Sequence, residues 1–126
     1  MREPISEEIR QMVASRARYC CEYCLLPERF AYIPFQMDHV IAVKHGGATT
    51  IENLALACPH CNQHKGSDIA SYLPESGEIV PLFNPRRDAW EQHFKVVEGT
   101  ITGLSTRGRQ RFACFGQLLT QARVYP

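Results

Sequence analysis

Apolar residues recur along this chain with first a helical and then a strand rhythm. Ile9, Met12, Val13 and Ala17 fall on one face of a helix. Ser6 suits its N-cap, and Glu7 and Glu8 suit its first turn. The pattern predicts a helix ending near Arg18. Cys20 to Cys24 reads as a tight turn, and residues 25–34 as irregular chain broken by Pro27 and Pro34. Phe35 to Val43 is apolar and β-branched and predicts a strand. Lys44 to Thr50 is a loop around Gly46 and Gly47. Leu54 to Ala57 predicts a second short strand, and Pro59 suits the first turn of a helix carrying Cys61, Asn62 and Lys65.

Beyond Gly66 the rhythm changes. Glu78 to Phe83 predicts a strand, and Asn84-Pro85 a helix start, with Arg86 to His93 as the helix. Phe94 to Val97 and Thr100 to Leu104 flank Glu98-Gly99, a hairpin pattern. Thr106 is a candidate cap for a last helix with Phe112, Phe115, Leu118, Leu119 and Ala122 on its buried face. The fold class expected is α+β. A small core of about residues 20–70 carries an N-terminal helix and a strand-helix extension over about 71–126, all within one domain.

The chemistry is concentrated in the core. Cys21, Cys24, Cys58 and Cys61 form two Cys-x-x-Cys pairs. Four thiolates suit a closed tetrahedral zinc site. A register with Cys20 in place of Cys21 is open but disfavoured, and Cys114 reads as plain core. His60 lies between two of the proposed ligands. Between the pairs stand Asp38-His39 and Asn53, and Asn62 follows the last Cys. An Asp, a His and two Asn suit an open, oxygen-rich site for a hard cation. Asp38 and His39 are consecutive, so on a strand they point to opposite faces.

Composition narrows the rest. The chain has 126 residues, 44% apolar and 21% charged, which suits one globular domain and argues against disorder. The net charge is only +1, so any affinity for nucleic acid must come from local patches or metal ions. No apolar run is long enough to span a bilayer. The N-terminus lacks the apolar region of a signal peptide. The expected location is cytoplasmic, where thiols stay reduced and favour metal over disulfides.

In order and spacing, Cys21-Glu22-Tyr23-Cys24, Asp38-His39, Gly46-Gly47, Asn53-Leu54 and Cys61-Asn62-x-x-Lys65 resemble the HNH (ββα-metal) endonucleases. The variant is the one with Asn at the third signature position. The stretch Val80 to Phe94 resembles a C-terminal extension found on small bacterial HNH proteins. The resemblance implies a ββα-metal core on a zinc scaffold and a metal-dependent endonuclease acting on DNA, double-stranded by expectation. It implies His39 as general base, and Asp38 and Asn62 as ligands of magnesium or manganese. Asn53 would hold the His39 loop through side-chain hydrogen bonds. Lys65, His64, Arg86 and Arg87 are candidate nucleic-acid contacts, and Arg16, Arg18, Arg107, Arg109 and Arg111 could also line a groove. No membrane partner is expected, and monomer and homodimer both remain open. The alternative is a non-catalytic zinc module that binds nucleic acid.

Overall fold

A computed structural model describes residues 4–98, 100–105 and 107. Helix α1 spans Glu7–Arg16, and the Ser6 hydroxyl accepts from the Ile9 N–H at 3.2 Å. Val13 is its one fully buried side chain, with Ile9, Ala14 and Ala17 packed beside it. Met12, expected on the same face, is 49% exposed. The helix ends when Arg18 and Tyr19 adopt positive φ (55° and 58°), which turns the chain into the first Cys pair.

Strands β1 (Gln36–His39) and β2 (Leu54–Ala57) pair antiparallel, with Asp38 opposite Ala55 and His39 opposite Leu54. The strand is shorter than its apolar pattern predicts. Asn53 takes Ile41 out of the ladder with its side chain, and Val43–His45 closes as a 3-10 turn. Helix α2 (Pro59–Lys65) follows β2 after a single residue and packs on both strands. The expected order of strand, loop, strand and helix is present.

The chain then makes a ribbon of β3 (Ala70–Leu73) and β4 (Glu78–Pro81) and a ribbon of β5 (Phe94–Val97) and β6 (Thr100–Gly103). Strand β3 has no counterpart in the sequence prediction. The expected helix over 86–93 is reduced to α3 (Trp90–His93), because residues 84–88 form a turn. There the Asn84 side chain accepts from the Arg86 N–H, and Asp88 accepts from the Asn84 N–H, both at 2.8 Å. The positive φ of Glu98 (50°) lies at the expected hairpin turn, while Gly99 and the expected last helix, with Cys114, Arg109 and Arg111, fall outside the described residues.

One buried cluster joins these parts. Val13, Tyr23, Leu54 and Leu56 meet Phe83, Phe94 and Ile101, so the extension shares the core of the Cys-bearing segment. The Tyr23, Phe83 and Phe94 rings meet edge to face, with centroids 5.3 and 6.5 Å apart along the chain of contacts.

Candidate metal centre and catalytic strand

Cys21, Cys24, Cys58 and Cys61 are all buried, and their sulfurs lie within 4.8 Å of one another. Cys24 Sγ and Cys58 Sγ are 3.9 Å apart. A tetrahedral ion with bonds of about 2.3 Å requires sulfurs about 3.8 Å apart. The two halves are built differently. In the first, Leu25 turns at φ 68°, its N–H reaches Cys21 O at 2.9 Å, and the Cys21 N–H reaches Leu26 O at 2.9 Å. In the second, Cys58 is the N-cap of α2, and its sulfur accepts from the Cys61 N–H at 3.4 Å. Cys20 lies outside the cluster with its thiol on Arg18 O, so the register is that of Cys21.

Packed this closely, the thiols compete. The hydrogen bond with Cys21 holds Cys58 far below the ordinary thiol range, helped by Cys24 and Cys61. The same contacts push Cys24 and Cys61 up. One divalent ion resolves that competition by taking all four sulfurs as thiolates. The donor set therefore fits structural zinc.

Beside the cluster, Asp38 and Lys65 are 4% and 2% exposed. The Lys65 ammonium lies 3.3 Å from the Asp38 carboxylate and 3.1 Å from His39 O. That ammonium is equally far from both carboxylate oxygens, and the Tyr23 hydroxyl donates to one of them, Oδ2. Asp38 thus receives one contact from each Cys pair's own segment: Tyr23 sits inside the first pair, and Lys65 on the helix of the second. Lys65 is an interior cation here rather than a surface contact for phosphate.

His39 points to the opposite face, is 3% exposed, and lies 2.9 Å from the Thr49 hydroxyl through Nε2. Its loop is held by Asn53. The Asn53 carbonyl accepts from Ile41 N–H at 3.0 Å, while its amide donates to Ile41 O at 2.9 Å and Ala48 O at 2.8 Å. Gly46 takes φ 92°. Gly47 lies against Ile41, where a Cβ would stand 1.7 Å from the carbonyl oxygen, so only glycine fits. Asn62 donates its amide to the Gln36 side chain, which leaves its own Oδ1, a hard donor, uncommitted to that bond.

The remaining expected contacts divide. Arg86 pairs with Glu22, and burial, with Arg16 nearby, pushes its guanidinium down to about 10. Arg16 donates to Ile51 O at 2.9 Å and Leu54 O at 2.7 Å. Arg107 pairs with Asp88 at 2.8 Å. Arg18, His64 and Arg87 are exposed, as is His60, which stays outside the sulfur cluster. Sequence reasoning missed Glu22, Tyr23 and Thr49. The only available signal was that two polar-capable side chains stand inside the first Cys pair.

Residues 21–68 match the family model of the HNH endonucleases. The match runs from the first Cys of the cluster to just past α2, leaving α1 and the extension outside it. No curated protein and no solved structure matches the chain. Among the described residues no helix is long and apolar enough to cross a membrane.

Proposed function

We propose that the segment matching the HNH endonucleases makes this chain a metal-dependent endonuclease that hydrolyses phosphodiester bonds in DNA. The observation that carries this reading is the way Asn53 closes the loop behind His39, beside a four-sulfur site within the matched segment. Asn53 and the zinc-organised hairpin are positioning devices in this scheme. They fix where the imidazole points without touching the substrate.

His39 acts as general base. Its Nε2 leaves the Thr49 hydroxyl for a water, removes a proton as the water oxygen attacks phosphorus in line, and becomes imidazolium. The P–O bond to the 3′ oxygen breaks opposite the new bond. The products are a 5′-phosphate and, once the leaving oxygen is protonated, a 3′-hydroxyl. Asp38 and Asn62 Oδ1 are the oxygen donors for a magnesium or manganese ion, which supplies Lewis-acid stabilisation of charge at the phosphate when bound. Asp38 is already neutralised by Lys65, so a cation has to compete with that ammonium. Weak, millimolar-range dependence on the added ion follows.

The test is plasmid cleavage with added magnesium or manganese, comparing wild type with His39→Ala at equal zinc content. Cutting by wild type and none by a folded, zinc-loaded variant supports the reading. The deep burial of His39 and the closed Asp38–Lys65 pair favour a second reading, a zinc module that binds nucleic acid without cutting. Plasmid shifted on a gel but left intact by wild type under both metals selects it.

A further inference from the structure

Arg10 stands exposed on α1, outside the segment matched by the family. With Gln36 at the start of β1 and Asn62 on α2, it lines an open cleft of about 420 Å³, floored by Ile5, Phe35 and Met37. Among the described residues Arg10 is the only charged one lining the cleft, and no carboxylate of theirs lies within ion-pair distance of it. One uncompensated guanidinium beside two carboxamides is an arrangement for an anion with several oxygens. The Asn62 amide donates to Gln36 Oε1, which orients the Gln36 group and leaves that group's own N–H donors for a ligand.

The position of the cleft says which anion. Gln36 and Asp38 lie on the same face of β1, two residues and about 7 Å apart. That offset is comparable to the spacing of successive phosphates along a nucleic-acid strand. Asn62 belongs both to the cleft and to the proposed catalytic set, so the two places are contiguous.

We propose that this cleft seats the backbone phosphate next to the reacting one, with Arg10 supplying the charge and Gln36 the neutral donors. This rests on the nucleic-acid reading above and adds a contact from a helix that the family match does not cover. The contact is to the backbone, so it sets register and affinity without reading sequence.

The experiment measures binding of the zinc-loaded full chain to a fluorescein-labelled duplex across a salt series, without added divalent ion. Arg10→Ala is expected to raise Kd about threefold to tenfold and to make the log Kd against log salt slope shallower by about 0.9. Arg10→Lys keeps the slope. Lys95→Ala, at an exposed lysine of β5 that does not line the cleft, leaves both unchanged. Wild-type slope and Kd for Arg10→Ala, with wild type binding normally, overturn this inference alone. An equal loss from Lys95→Ala also overturns it, because the effect would then be a diffuse field. Wild type that binds no duplex at any salt overturns this inference, and overturns the nuclease reading as well when it also leaves plasmid uncut with magnesium and manganese.

Discussion

The two Cys pairs meet at one point in space and are held there by unlike means. The second is largely local: Cys58 caps α2, Pro59 opens it, and Cys61 follows on its first turn. The first has no helix to lean on. Its turn is secured from far along the chain, where Arg86 pairs with Glu22 and Trp90 Nε1 donates to Tyr23 O at 3.1 Å. Glu22 also binds β2, with Leu56 N–H on its carboxylate at 2.7 Å and its own N–H on Leu56 O at 2.8 Å. A short-range element can be specified by capping and propensity, whereas an irregular turn of the same size needs tertiary contacts to choose one conformation. The extension therefore supports the metal centre, and none of its described residues belongs to the sulfur cluster.

The largest effect that could break this comparison is loss of a ligand. Cys21→Ala and Cys58→Ala each remove a thiolate from an ion whose binding is worth on the order of 10 kcal/mol of folding energy. Both variants are expected to lose zinc and cooperative unfolding, read by zinc stoichiometry and thermal melts. A folded, zinc-loaded Cys58→Ala chain would show that the second half is secured by its helix alone.

Next come the two arms on Asp38. Lys65→Met cuts the arm from the second half and leaves a buried carboxylate without its ammonium, at a cost of about 3–5 kcal/mol. Added manganese is expected to recover part of that loss if Asp38 ligates a hard cation; identical melts with and without manganese would count against the ligand role. Tyr23→Phe cuts the arm from the first half and removes one hydrogen bond to a charged acceptor, about 1.5–3 kcal/mol by denaturant melts.

The smallest change sharpens the contrast most. Trp90→Phe keeps an aromatic ring but loses the N–H to Tyr23 O, at about 1–2 kcal/mol. Hydrogen exchange is expected to quicken over residues 21–26 and stay unchanged over 58–65. Equal quickening in both segments would mean that the extension supports the core as a whole.

What could be read from the sequence divides along the same line. The second Cys pair, β2 and α2 follow from spacing, Pro59 and a short apolar run, all within a dozen residues. The opposite faces of Asp38 and His39 follow from strand alternation. The sulfur cluster was legible because its four residues have one common chemistry. Lys65 was not legible as an interior cation: a lysine near a helix end reads as solvated, and its partner lies 27 residues away. The turn over 84–88 defeated the helix prediction because Asn84 and Asp88 side chains satisfied backbone N–H groups locally. Strand β3 escaped because Ala70, Ser71 and Tyr72 have little apolar alternation and gain their order from pairing with β4.

The long reach of Arg86 and Trp90 also sets an order in time. Their partners Glu22 and Tyr23 are synthesised 64 and 67 residues earlier. A growing chain therefore carries Cys21 and Cys24 through the ribosome with their turn unsupported, and Cys58 and Cys61 emerge before the support does. Metal loading that outlasts competition from other thiols thus waits for the emergence of Arg86 and Trp90. A nascent protein halted soon after Lys65 would present the four sulfurs but hold zinc in a looser, faster-exchanging form.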